Sequence, residues 1–228
     1  MKKLILFVFV IFTSTLLAKW NVSTDKDEMT GKYSAYAISS NVKPTRTMNF
    51  PYSSVESWIG IGCNNKKNWA YLGFNLAPNL NNTTTRSGYN EIRTRIKFDD
   101  DIEYYTLTQD WGSKFIHFFY PEEIVEKIKK SNSMLLELNW HGNGSTYFKY
   151  SLNGSTKAIN KSFNKCGYMK IYKNKIKARN EELKRTKIEE KEKYKRYSSI
   201  KTEKQKCLNN GGSSGWDFEK DIFKCIYK

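Results

Sequence analysis

Hydrophobic and polar positions alternate most strictly at Glu91–Phe98 (EIRTRIKF). Ile92, Thr94, Ile96 and Phe98 fall on one side there, and Arg93, Arg95 and Lys97 on the other. A period of two predicts a strand with one face buried. Looser alternation recurs at Lys32–Ser40 (KYSAYAISS), Tyr104–Thr108, Lys114–Phe119, Met134–Trp140 and Thr146–Leu152. Two apolar runs, Trp58–Cys63 (WIGIGC) and Trp69–Phe74 (WAYLGF), flank the polar stretch Asn64–Asn68. That stretch reads as a hairpin loop, since Asn tolerates positive φ. Asn143-Gly144 is a second hairpin signal, between the last two strands. Eight or nine short strands set apart by turn residues predict a mainly β fold, an antiparallel β-sandwich or barrel-like body.

Helical patterns interrupt and then end this body. Pro121 opens a run with Glu122, Glu123 and Glu126 early and Lys127, Lys129 and Lys130 late, the order that suits a helix dipole. Thr156–Cys166 predicts a second short helix, with Ala158, Ile159 and Phe163 on one face. Residues 167–206 are rich in Lys, Glu and Arg and contain no Pro, and glycine is absent from 168 to 210, so they predict one long helix. Its heptad positions hold Ile176, Leu183, Glu190 and Tyr197, with Tyr172, Arg179, Thr186, Lys193 and Ile200 between them. That seam is too polar for a firm coiled coil, so the expectation is a solvated stalk able to form at most a weak homodimer through residues 170–206.

The N-terminus has the layout of an export signal. Lys2 and Lys3 precede the apolar run Leu4–Leu17, and Ala18 is a small residue at the cut. The run is shorter than the ~20 residues a membrane-spanning helix needs. The mature chain would therefore begin at Lys19, in the periplasm or outside the cell. Export makes disulfides permissible. Cys63, Cys166, Cys207 and Cys225 allow three pairings. The favoured one is Cys63–Cys166 with Cys207–Cys225: the second closes a short local loop and the first ties distant parts of the body. No Cys-x-x-Cys pair is present to suggest zinc.

Charge divides the chain further. The 228 residues carry 39 Lys+Arg against 23 Asp+Glu, a formal net charge of +16. Residues 161–206 hold 17 basic and 6 acidic residues, whereas residues 207–228 hold three of each. The expected organisation is a signal peptide at 1–18, a β-sandwich at 19–166, a basic helical stalk at 167–206 and a Cys-closed hairpin knob at 207–228. Trp216, Phe218 and Phe223 anchor the knob. An aromatic fraction of 15% excludes a wholly disordered chain.

Catalytic motifs are scarce. Gly211-Gly-Ser-Ser-Gly215 fits G-x-S-x-G, but it stands in a tail without His, so a flexible turn is expected. His117 lies in an aromatic run and His141 at a turn; neither has a nucleophile to serve. Asp99-Asp100-Asp101 lacks the further spaced ligands of a calcium loop and reads as an acidic connection between strands. No catalytic residue, metal site or cofactor is expected.

The body also resembles a family. Trp20-Asn-Val-Ser-Thr-Asp-Lys-Asp-Glu-Met-Thr-Gly-Lys32 leads into the alternating strand Tyr33–Ser39. A middle strand ends in Cys at Ile59-Gly-Ile-Gly-Cys63. An aromatic strand, a Gly turn and a short helix then run from Phe148 to Cys166. In these features residues 20–166 resemble the exported β-sandwich proteins of the invasion-associated locus B and type VI secretion-associated periplasmic group. The resemblance implies a single non-enzymatic sandwich in the periplasm or envelope. It carries over no catalytic residues and does not extend to the basic helix or the knob.

The functional expectation is an exported, non-enzymatic binding or accessory protein. Its partner would be an envelope protein or an anionic surface, lipid or wall polymer, met through Lys184, Arg185, Lys187, Lys191, Lys193, Lys195 and Arg196. Nucleic acid fits poorly, because phosphate binding needs access that an exported chain lacks. One alternative is a glycan or cell-wall hydrolase drawing paired carboxylates from Glu91, Asp99, Glu103, Asp110 and Glu137. Another is a structural subunit that dimerises through the helix.

Overall fold

The structure, a computed structural model, describes residues 20–217 and 222–226. The expected signal peptide and Phe218 lie outside the described residues. Ten strands build the body: β1 (Asn21–Lys26), β2 (Tyr33–Ile38), β3 (Ser57–Cys63), β4 (Asn68–Phe74), β5 (Thr83–Thr85), β6 (Tyr89–Phe98), β7 (Asp101–Asp110) and β8 (Phe115–Phe118), then, after helix α1 (Pro121–Lys130), β9 (Ser133–Trp140) and β10 (Gly144–Ser151). Helices α2 (Ser155–Lys165) and α3 (Met169–Asn209) follow, and β11 (Ser213–Asp217) and β12 (Ile222–Ile226) form the terminal hairpin. The fold is mainly antiparallel β with a long C-terminal helix and a disulfide-closed hairpin, as the pattern predicted.

The body strands pair in the order β1-β2-β3-β4-β8-β7-β6-β9-β10, every pair antiparallel, with β5 added on β6. The sheet curls so that its inner faces meet. Phe74 of β4 packs edge-on against Trp140 of β9 and Phe148 of β10, with ring centroids 5.8 and 5.7 Å apart. Tyr150 of β10 reaches Ser57 of β3, oxygen to oxygen 2.6 Å. The connection between β2 and β3 crosses the open side: Val42 bridges Ser57, Pro44 bridges Phe148, and the Thr45 amide donates to the Tyr147 carbonyl. Ile59, Ile61, Leu72, Ile96, Leu107, Leu136 and Trp140 are buried in the interior.

Small residues admit the helices. Ala35 and Ala37 present no bulk on the inner side of β2, and α2 packs there with Ile159 and Phe163 buried. The Cys63–Cys166 disulfide fastens this contact, its Cα atoms 6.1 Å apart. The end of α1 is closed by α2: Ser155 Oγ donates to the Ile128 carbonyl and Thr156 Oγ1 to the Lys129 carbonyl. Those carbonyls would otherwise be among the orphan acceptors of a helix C-terminus. Gly167, at φ 75°, then makes the sharp turn into α3.

The chain divides into two units between Tyr172 and Lys173. Tyr168 and Tyr172, in and just before the first turn of α3, belong to the body because both are buried against Phe163, with centroids 5.3 and 4.9 Å away. Their hydroxyls donate to Glu122 and Glu126 of α1.

In the second unit α3 continues from Lys173 for about 55 Å at 1.5 Å per residue. The Cys207–Cys225 disulfide closes the terminal hairpin, and because Cys207 is helical, in the last turns of α3, it closes it onto the helix end. Gly212 fits this corner because a Cβ there would stand under 3.0 Å from both sulfur atoms. Trp216 and Phe223 face each other across β11 and β12.

Candidate functional site

The second unit presents the basic helix α3. From Lys177 to Ser199 its residues are exposed, save Arg179, which is partly covered. At 100° per residue, Lys184, Lys187, Lys191 and Lys195 share one arc of about 80°, and Lys173 and Lys177 extend the same arc toward the helix start. No Asp or Glu of the helix falls within that arc. Arg185, Lys193 and Arg196 do not belong to it. They lie on the far side, interleaved with Glu182, Glu189 and Glu192. The helix thus brings together four of the seven cations singled out from sequence and sets three apart. A row of apolar residues borders the lysines: the half-buried Ile176 and the exposed Leu183 (48%), Tyr194 (74%) and Tyr197 (68%).

The second surface is the outer face of the body sheet, opposite the face that α2 covers. Register places Trp58, Gly60 and Gly62 of β3 against Gly73, Tyr71 and Trp69 of β4. Every pair joins an aromatic residue to a glycine. A Cβ at Gly60, Gly62 or Gly73 would stand under 3.0 Å from three atoms of the facing ring, so each ring lies over bare backbone. Tyr36 extends the row from β2, where it pairs with Gly62, and Phe115 and His117 extend it from β8, where they pair with Gly73 and Tyr71. Tyr36 stands edge-on to Trp69 at 5.8 Å, and Phe115 edge-on to Trp58 at 6.4 Å. Tyr71 is the buried floor between them; Trp58, Trp69, Tyr36 and His117 are half-buried and Phe115 is 41% exposed. Burial raises the Tyr71 hydroxyl above its usual range, and a hydrogen bond from Trp58 opposes this. Burial lowers His117, against a smaller pull from Asp110, so its imidazole is neutral at pH 7.

A third feature is an open cleft of about 470 Å³ where β8 ends and β7 runs on. β8 pairs with β7 only at Leu107 and Thr108, and among the described residues no other strand continues along that side of β7. Tyr104, Tyr105, Phe119, Tyr120 and Glu103 line the cleft.

Four of the five carboxylates considered for hydrolysis, Glu91, Asp99, Glu103 and Glu137, have structural partners. Glu103 takes the Lys127 ammonium and the Tyr105 hydroxyl, and Lys127 chiefly holds it below the usual carboxylate range. Glu137 receives both Nε and Nη2 of Arg95, at 2.6 and 2.9 Å, and is lowered by that pair. Glu91 pairs with Arg86 at 2.8 Å. Asp99, at φ 49°, accepts the Asn132 and Ser133 amides, which lower it. Asp99 therefore braces the start of β9, and Asp101 already belongs to β7. No cluster of three potential metal ligands occurs among the described residues. Ser213 of the G-x-S-x-G stretch opens β11, and its hydroxyl donates to the Ile226 carbonyl. It does not occupy the strand-to-helix turn a nucleophile elbow requires.

No family model, curated protein or solved structure matches this chain.

Proposed function

We propose that this chain is an exported, non-enzymatic binding or accessory protein of the bacterial periplasm or cell envelope, whose β-body recognises a ligand while α3 engages an anionic surface. The acid-free lysine arc on an exposed helix carries this reading. A lysine row bordered by Leu and Tyr suits a helix lying along an interface, with cations toward phosphate and rings at its edge. Export is supported by the pairing of all four cysteines. No helix among the described residues is long and apolar enough to cross a membrane. The resemblance of residues 20–166 to exported sandwich proteins points the same way. A hydrolase would need a carboxylic acid with a raised pKa as proton donor. Glu103, Glu137 and Asp99 are instead held ionised.

Co-sedimentation tests the helix. The oxidised protein should pellet with vesicles of phosphatidylcholine and phosphatidylglycerol, or with purified teichoic acid on beads, and not with phosphatidylcholine alone. The two anionic arms separate a lipid headgroup from a wall polymer. Each lysine near an anionic surface contributes ~1 kcal/mol, so Lys184→Gln, Lys187→Gln, Lys191→Gln and Lys195→Gln together should weaken binding by up to about 1000-fold. Arg185→Gln, Lys193→Gln and Arg196→Gln should weaken it far less. Equal losses in the two variants, or no anionic binding at all, would refute the arc.

A further inference from the structure

We infer that the outer face of β2, β3, β4 and β8 is a binding platform for an uncharged polysaccharide. Proteins rarely leave two Trp, two Tyr and a Phe contiguous on a sheet face, and among the described residues no helix covers this one. Here three glycines let the rings settle onto the backbone. Trp69 lies over Gly62 with Tyr36 edge-on to it, and Trp58 lies over Gly73 with Phe115 edge-on to it. Each pair forms a shallow trough with a floor and one wall.

The chemistry of the troughs selects the ligand. Ring faces are electron-rich, so they attract the weakly positive C–H groups on the flat side of a sugar ring. The Trp69 N–H, the Tyr36 O–H and the neutral His117 supply hydrogen-bonding partners for hydroxyls, while the Trp58 N–H is engaged by Tyr71. None of the six platform side chains carries a full charge, although the whole chain stands at +16. Single-stranded nucleic acid also stacks on rings, but it needs cations along its phosphates, and the platform offers none. Flat rings give no sockets for the anchor residues of a protein partner. The floors at Gly62 and Gly73 are about 13 Å apart along the strands, at 3.3 Å per residue. A ligand occupying both troughs is therefore a chain rather than a single sugar.

This inference rests on the reading of the protein as an exported binding protein, yet its test is separate from the vesicle experiment. Vesicle binding lost with saccharide binding intact would reject the helix alone, and the converse would reject the platform alone. The oxidised protein is titrated with cellohexaose, xylohexaose, maltohexaose and chitohexaose, followed by calorimetry and tryptophan fluorescence. At least one should bind. Trp58→Ala and Trp69→Ala should each weaken it roughly tenfold, and Phe50→Ala, a ring exposed on the β2–β3 connection outside the platform, should not. Should the tryptophan variants misfold, the unsubstituted protein serves. The bound saccharide should protect Trp58 and Trp69 from N-bromosuccinimide and leave Trp216 reactive. Failure of all four saccharides to bind, binding without that protection, or self-association of the protein abolished by Trp69→Ala would overturn the platform.

Discussion

The hydroxyl pair Ser57–Tyr150 joins β3 to β10 across the interior, and its hydrogens can be assigned. Ser57 Oγ lies 2.9 Å from the Gly73 carbonyl, which can only accept, so the serine hydrogen goes there. The bond between the two hydroxyls, at 2.6 Å, then takes its hydrogen from Tyr150. Both side chains are buried. Tyr150→Phe removes a donor and leaves Ser57 still bonded to Gly73, a loss of about 1 kcal/mol. Ser57→Ala is worse: it strands the buried Tyr150 hydroxyl and takes a partner from the Gly73 carbonyl, roughly 2–3 kcal/mol in all. Adding Tyr150→Phe to Ser57→Ala removes the stranded hydroxyl. The double variant should then cost no more than Ser57→Ala, leaving a coupling of about 1 kcal/mol or more in the cycle. Urea unfolding of the oxidised protein, with m checked for constancy, measures all three. A Tyr150→Phe loss equal to that of Ser57→Ala, or strictly additive losses, would refute the assignment.

Three further outcomes are expected. Replacing Cys63 and Cys166 with Ser opens a loop of 103 residues and should destabilise the body by up to ~4.7 kcal/mol in the chain-entropy account; replacing Cys207 and Cys225 should leave the body's urea midpoint unchanged. Stability should fall as pH drops below about 5 through the lowered carboxylates Asp99, Glu103, Glu126 and Glu137, after a smaller loss that begins at about pH 6.5, where the unfolded chain protonates His117 and the buried imidazole resists it. Each binds its proton more weakly folded than unfolded, so its contribution is present above the unfolded value and lost on acidification; thermal melts between pH 7 and 3 would show it. Gly62→Ala should lift the Trp69 ring, cost ~1–3 kcal/mol and change the near-UV dichroism, whereas an unaltered spectrum would mean the ring does not rest on that glycine.

Much of this architecture was written in residue spacing, because burial imposes period two on strands and helix formers cluster in stalks. Glu91–Phe98 is strand within β6, the Pro121 helix runs over Pro121–Lys130, and the favoured cysteine pairing is the one formed. The misses have local causes. β5 is three threonines long, too short to show a period. β7 extends to Asp101–Asp110, but adjacent Tyr104 and Tyr105 blur its alternation. The loop after β3 is a residue shorter than its polar stretch, because Asn68 pairs with Cys63. Nor does that loop use positive φ: Asn64 turns the chain by accepting the Lys66 and Lys67 amides with its side chain. The expected stalk stops at residue 206, just before Cys207. The helix in fact runs two residues past the cysteine.

The aromatic platform was legible too, had the register been drawn. WIGIGC and WAYLGF look like uniform apolar runs, the mark of strands buried on both faces. Split by parity they are two different strands in one. Ile59, Ile61 and Cys63 face inward with Ala70, Leu72 and Phe74, leaving Trp58, Gly60 and Gly62 outward with Trp69, Tyr71 and Gly73. Folding the pair about residues 64–67 sets every large outward residue opposite a glycine. Chance rarely produces large-against-small matching at three consecutive pairs. Packing explains part of it, since rings can cover glycines that would otherwise expose backbone. It does not explain why the covering residues are tryptophans and a tyrosine: valine or threonine opposite valine would make a sounder outer face with no glycine to cover. A sheet that accepts three glycines in its central strands gives up side-chain packing there. What it gains is a row of half-buried aromatic rings seated on bare backbone, the kind of surface on which a sugar ring stacks.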